Sequence, residues 1–258
     1  VQRNKLKQEV LLNMQVSKSF IIIGMLYASC ALAGPADYVH TPIVEQGEKE
    51  IDFRFGTAKE PDGTHAKVTS LGFGYGVNDT WFTEIYLNRE HEGADGVTLA
   101  EWENKFQLTE TGKYAVDMAL LTEIEAPLNN GKEPWEFKVG PLLQTEYGKW
   151  QLNGNVLFAR KFGPNDNDEI RFTEISYQWQ VKYRMQPAFE FGAQGFGEMG
   201  NWNDWSPVSA QNHRLGPAIF GKFRVGSKQA FKYNTAWLFG LSDAAPNSTF
   251  RMQLEYEF

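Results

Sequence analysis

One pattern governs what this chain can become. Beyond residue 45, apolar side chains recur at every second position, in twelve separate runs. They are Ile51–Phe55, Leu71–Val77, Trp81–Leu87, Trp102–Leu108, Tyr114–Ile124 and Trp135–Leu143, then Trp150–Phe158, Ile170–Tyr183, Phe189–Ala193, Leu215–Val225, Phe231–Leu241 and Phe250–Phe258. The eighth run slips by one residue between Phe172 and Ile175, which predicts a β-bulge. The rows hold 58 positions and no Asp, Glu, Lys or Arg, where a random draw at 22% charged would place about 13. The charges sit on the alternate rows, as in Glu101, Glu103 and Lys105. A period of two makes these runs strands with one apolar face. A soluble sandwich and a membrane barrel both satisfy it.

Connections and aromatics separate the two. Short connections are expected at 78–79, 111–113, 148–149, 186–187 and 227–228, and longer ones at 57–65, 90–98, 126–134, 162–168, 197–212 and 242–248. Long and short alternate around an even number of strands, which a Greek-key sandwich has no reason to do. Trp81, Trp102, Tyr114, Trp135, Trp150 and Tyr183 lie near the ends of apolar rows, where rings meet lipid headgroups. The expected fold is all-β: a transmembrane antiparallel up-and-down β-barrel of about twelve strands. Pro141 and Pro217 fit poorly inside strands; each follows a Gly, so kinks or bulges near strand ends are expected. The ninth run is the weakest, and its Gly-rich tail could be loop.

Phe20–Leu32 is too short to span a bilayer but suits the apolar core of a signal peptide. Lys18 precedes it and Ala31-Leu32-Ala33 offers a small-x-small cleavage pattern, so residues 1–33 are read as a leader and 34–258 as the barrel. Met14 is a plausible true start. Cys30 raises a lipoprotein alternative, which the bulky Tyr27 before it argues against. A formal charge of −7 excludes an ordinary nucleic-acid binder. No phosphate loop, metal-ligand cluster or CxxC motif is present, so no cofactor and no metal are expected.

The chain ends in Phe250-Arg-Met-Gln-Leu-Glu-Tyr-Glu-Phe258. A last strand of alternating apolar residues with a terminal Phe resembles the assembly signal of bacterial outer-membrane β-barrel proteins. With the leader and the alternation, it is similar to porin-like outer-membrane proteins of Gram-negative bacteria. The resemblance implies an outer-membrane location and the barrel assembly machinery as a partner of the C-terminal strand. It assigns no activity.

Twelve strands enclose a space between a filled eight-stranded barrel and a wide sixteen-stranded one. The expected function is a narrow channel for small polar or charged solutes. Candidate lumen residues are Asp52, Arg54, Glu84, Glu101, Glu103, Lys105, Asp117 and Glu123 in the first half, and Lys182, Arg214, Lys222, Arg224, Lys232 and Arg251 in the second. The first group is mainly acidic and the second basic, which across a narrow lumen would set up a transverse field. The alternative is a plugged barrel whose charges pair. Trp202, Asp204 and Trp205 could fold inward as a constriction or touch lipopolysaccharide; the plainer reading is a surface loop. The acidic run at 164–169 is read as a solvated loop. Outer-membrane lipids and small solutes are the remaining expected partners. A lipid or lipopolysaccharide hydrolase would need a nucleophile beside a histidine. His40 precedes the first strand and is expected in the periplasm, leaving His213, with Asp204 or Ser209 near it, as the weak candidate.

Overall fold

The computed structural model describes residues 34–92, 95–129, 134–163, 172–227 and 229–258. The leader, Cys30, Ile170 and the acidic run at 164–169 lie outside the described residues. Thirteen strands follow in order: β1 Lys49–Lys59, β2 His65–Asn78, β3 Trp81–Glu92, β4 Asp95–Gln107, β5 Asp117–Pro127, β6 Trp135–Tyr147, β7 Trp150–Phe162, β8 Glu174–Gln186, β9 Phe189–Asn201, β10 Asp204–Trp205, β11 Asn212–Arg224, β12 Ala230–Gly240 and β13 Ser248–Glu257. β10 is a two-residue ladder on the end of β9; the other twelve form one antiparallel sheet. The sheet closes because β13 pairs with β1, Asp52 opposite Glu255 and Arg54 opposite Gln253. No edge strand is left over among the twelve.

The alternation sorts the two faces. Exposed on the outside are Leu71, Phe73, Ile85, Leu87, Trp102, Trp135, Phe137, Trp150, Phe191, Ile219, Trp237 and Leu254. Such a band around a whole barrel has to be covered by lipid, since monomeric soluble proteins do not leave so large an apolar surface in water. The inner row of β1 includes Glu50, Asp52 and Arg54, all buried. The ionisable side chains of the outer rows are cationic or histidine, and Lys59, His65, Lys67, Arg89 and His91 gather at one end of β1–β3.

Five sequence expectations change. The turn between β4 and β5 spans residues 108–116, so Tyr114 and Val116 are turn residues rather than strand. Asp117 Oδ1 accepts from the Gly112 amide at 2.7 Å, and Gly112 has φ 69°, which stabilises the wider turn. The long-short alternation is therefore not strict: this connection is long, while β3 and β4 run to within two residues of each other. β8 begins at Glu174, and the register shift falls opposite β9 between Ile175 and Ser176, beside Gly200 at φ 81°. The Gly-Pro pairs sit within strands. Pairing of β6 with β7 skips from Val139–Phe158 to Leu142–Asn155, and that of β11 with β12 from Leu215–Phe239 to Ala218–Ala236, with register kept. Proline lacks the N–H for one neighbour, so the ladder opens locally without a bulge. Finally, β9 is a full strand. Rings of Trp179 and Tyr177 on β8 lie across Gly195 and Gly197, so aromatic surface replaces the missing side chains.

Candidate channel lumen

A segment ahead of β1 threads the barrel. Pro35, Ala36, Val39, His40, Pro42 and Val44 are buried. Val39 packs with Phe196, Ala218, Phe220, Ala236 and Leu238 on the inner faces of β9, β11 and β12. The opposite side of the segment meets β1–β4: the Tyr38 hydroxyl donates to Glu103 Oε2 at 3.0 Å, and Gln107 Oε1 accepts from the Val44 amide at 2.7 Å. Inward glycines make the room. A Cβ on Gly56 would stand 2.1 Å from the Pro35 carbonyl oxygen, and one on Gly76 1.9 Å from that of Glu45. The sequence reading that put His40 outside the barrel is therefore corrected. The missed signal was the inward glycine at positions 56 and 76, two gaps in the wall that the segment fills, whereas Gly72 and Gly74 are covered by Tyr86 and Phe82 of β3.

The wall from β1 to β6 is carboxylate-rich. Its centre is Arg54, 6% exposed. Its guanidinium lies between two rings, 3.6 Å from the Tyr38 centroid and 3.7 Å from that of Tyr86. Nε donates to Asp52 Oδ2 at 2.8 Å, and Nη2 bonds the Tyr86 hydroxyl and stands 3.9 Å from Glu84 Oε2. Tyr86 and Gln253 also donate to Asp52 Oδ2. Further round, Asn88 donates to Glu101 at 2.7 Å, and Lys138 pairs with Glu123 at 2.7 Å and Glu136 at 4.0 Å. Planar stacking with charge-assisted bonds is what guanidinium does and ammonium does not.

The wall from β6 through β9 to β12 is built on amides. Gln151 and Asn153 donate to Gln144; Gln180 donates to Asn153; Gln194 donates to Gln180 at 2.7 Å. Asn155 donates to Gln178 and to the His40 carbonyl, tying the segment to this wall too. Arg251, 1% exposed, ends the chain of amides by donating to Gln194 and Asn234. Neutral amides leave no trace in a charge count, so sequence reasoning passed over them.

Fourteen lumen residues were predicted, and the structure distributes them unevenly. Asp52, Arg54, Glu84, Glu101, Glu103, Asp117, Glu123, Arg214 and Arg251 are buried inside, and Lys105 is half-buried. The second-half cations are largely paired with neighbouring acids: Lys182 with Glu190 at 3.1 Å, Arg214 with Glu198 at 3.8 Å, and Lys222 with Glu257 at 2.6 Å. Lys232 joins Glu48, Glu255 and Glu257. Lys222 and Arg224 are exposed at the end of β11. A transverse field between two opposed charged halves is thus corrected to a carboxylate wall facing a mostly neutral one. Trp202, Asp204 and Trp205 are exposed, because Asp204 and Trp205 fold back on Asn201 and Gly200; the segment at 34–48 narrows the lumen instead. His213 has both ring nitrogens occupied, by the Tyr177 hydroxyl at 2.9 Å and Gln211 Oε1 at 2.6 Å, so neither Asp204 nor Ser209 is its partner.

No protein-family profile and no curated protein sequence matches the chain. Solved structures do. The COG4313 outer membrane channel from Pseudomonas putida F1 aligns over 86% of this chain and 98% of its own, with a TM-score of 0.59 at 12% identity. The NanC porin aligns over 81% and 98%, at 0.53 and 14%. The translocator domain of the autotransporter NalP from Neisseria meningitidis aligns over 83% and 88%, at 0.52 and 9%. Identities this low carry the fold alone, and the third neighbour shows that the fold serves more than one task. The chain is a twelve-stranded barrel similar in fold to these outer-membrane porins and channels.

Proposed function

We propose that the protein is a bacterial outer-membrane channel for small polar or charged solutes, narrowed by its own N-terminal segment. The observation that carries this reading is an inner wall with polar side chains on every strand, inside an apolar outer band. Two apolar patches interrupt that wall, one at Ala119, Leu121, Leu142 and Leu157 and the other at Phe196, Ala218, Phe220, Ala236 and Leu238. A barrel with only a scaffolding role has no need to line its interior with Asp52, Glu84, Glu101, Asn153, Gln180 and Gln194, since unsatisfied buried polar groups cost stability. Exchange of hydrogen bonds along such a wall compensates a solute for lost water. Cleavage after Ala33 would leave Gly34 as the first residue, inside the lumen. The closed barrel is the second reading, and the largely buried stretch at 35–44 favours it. Conductance of the purified, folded protein in a planar bilayer separates the two: steps of small unit conductance support the channel, and a folded barrel passing no current ends it.

Two further points belong to this reading. Lipopolysaccharide phosphates suit the outward Lys59, Lys67 and Arg89, which gather just beyond the apolar band at Leu71 and Leu87. The barrel assembly machinery would engage β13 through Phe258. Hydrolase activity finds no support in His213, whose ring serves Tyr177 and Gln211.

A further inference from the structure

We propose that His40, Glu103 and Glu123 form a zinc-class divalent-cation site that fastens the N-terminal segment to the carboxylate wall. One ligand atom from each of the three lies within 4.8 Å of the others, and all three residues are buried. They come from three elements: His40 from the threaded segment, Glu103 from β4 and Glu123 from β5. His40 is 5% exposed, and its Nδ1 makes no hydrogen bond. The nearest acceptor, Glu103 Oε1, stands 3.4 Å away. That is long for an N–H···O bond, which prefers about 2.7–3.2 Å. It matches the edge of a tetrahedral zinc site, where ligands about 2.0–2.1 Å from the metal stand about 3.4 Å apart.

The surroundings leave the needed oxygens available. Tyr38 takes Glu103 Oε2, leaving Oε1, the oxygen that faces His40. Lys138 takes Glu123 Oε1, leaving Oε2. Both contacts orient the carboxylates as outer partners of a metal site do. Carboxylate oxygens are plentiful around the site. The inner rows of β3–β6 carry Glu84, Glu101, Glu103, Asp117, Glu123 and Glu136, with Lys105 and Lys138 as their cations and Arg54 of β1 beside Glu84. The imidazole nitrogen selects a first-row metal such as Zn²⁺ over Ca²⁺, which takes oxygen ligands. Three protein ligands leave the fourth position to water.

The test is calorimetric titration of the purified, folded full-length barrel with ZnCl₂, and separately with CaCl₂. The expected result is one zinc per chain, at least about tenfold weaker in His40→Ala and in Glu123→Gln, with calcium not competing. His65→Ala and His91→Ala, on the outer surface, keep wild-type affinity. A Thr41→Cys variant reports the fastening: zinc slows thiol labelling from the aqueous side, and adding His40→Ala abolishes the protection. Zinc affinity unchanged in a folded His40→Ala barrel, no zinc binding in the wild type, or labelling indifferent to zinc overturns the proposal. Binding is read without current, so the channel reading fails separately. A barrel that binds zinc at His40 and never conducts keeps this site, and one that conducts but binds no zinc loses it.

Discussion

The two sides of the lumen solve one problem in different ways. Both must present hydrogen-bonding groups where water is scarce. The carboxylate wall does so with acids set beside cations: Asp52 and Glu84 stand by Arg54, and Glu123 pairs with Lys138. The amide wall links its own groups, Gln194 donating to Gln180, Gln180 to Asn153, and Asn153 and Gln151 to Gln144, with Arg251 donating at the Gln194 end. An amide carries donor and acceptor together, so a row of them closes without counterions. The carboxylate wall is therefore brittle to loss of one cation and hungry for others. The amide wall tolerates single losses and offers a neutral track.

The sharpest way to break that comparison is to remove the central cation. Arg54→Ala leaves Asp52 and Glu84 buried without their partner and frees the rings of Tyr38 and Tyr86. The expected loss is about 3–5 kcal/mol, read as a lowered urea midpoint of the folded barrel. On the outside the walls should not differ. Phe73→Arg on the carboxylate side and Val156→Arg on the amide side both face lipid well inside their strands, and each should cost about 2–4 kcal/mol near the midplane. A cost confined to one side would mean that only part of the band is lipid-covered. Gln194→Leu, in the amide wall, removes the partner of Gln180 and one partner of Arg251. Its expected cost is about 1–3 kcal/mol, below that of Arg54→Ala. The reverse order would place the weak point of the interior on the amide side.

The barrel was legible in the sequence because lipid on one face and polar groups on the other leave a period of two. Strand ends were less legible. Tyr114 and Val116 continue the apolar alternation, yet the Asp117 carboxylate caps the Gly112 amide and holds them in a turn. Of the candidate site, the charged half of the wall could be listed from inward parity alone. The amide belt could not, because Gln and Asn at inward positions look like ordinary polar filler. The threaded segment was missed for a deeper reason. Residues 34–48 have no period to read, and their burial is visible only through the space left by Gly56 and Gly76 on other strands.

The smallest expected effect concerns selectivity at the mouth. Glu103 and Glu123 are deeply buried, on a wall with few cations. Lys222 is 44% exposed on its side chain and paired to Glu257, and Arg224 is exposed beside it. Exposed charges are screened over about 8 Å at physiological salt, while charges in a narrow lumen keep most of their field. Neutralising Glu103 and Glu123 to Gln should therefore move the reversal potential, under a salt gradient, clearly away from cation preference. Lys222→Glu with Arg224→Glu should move it the other way and by less, with the difference widening as salt is raised. If the mouth pair dominates instead, the permeating solute does not run along the carboxylate wall, and the selective step lies at the end of β11.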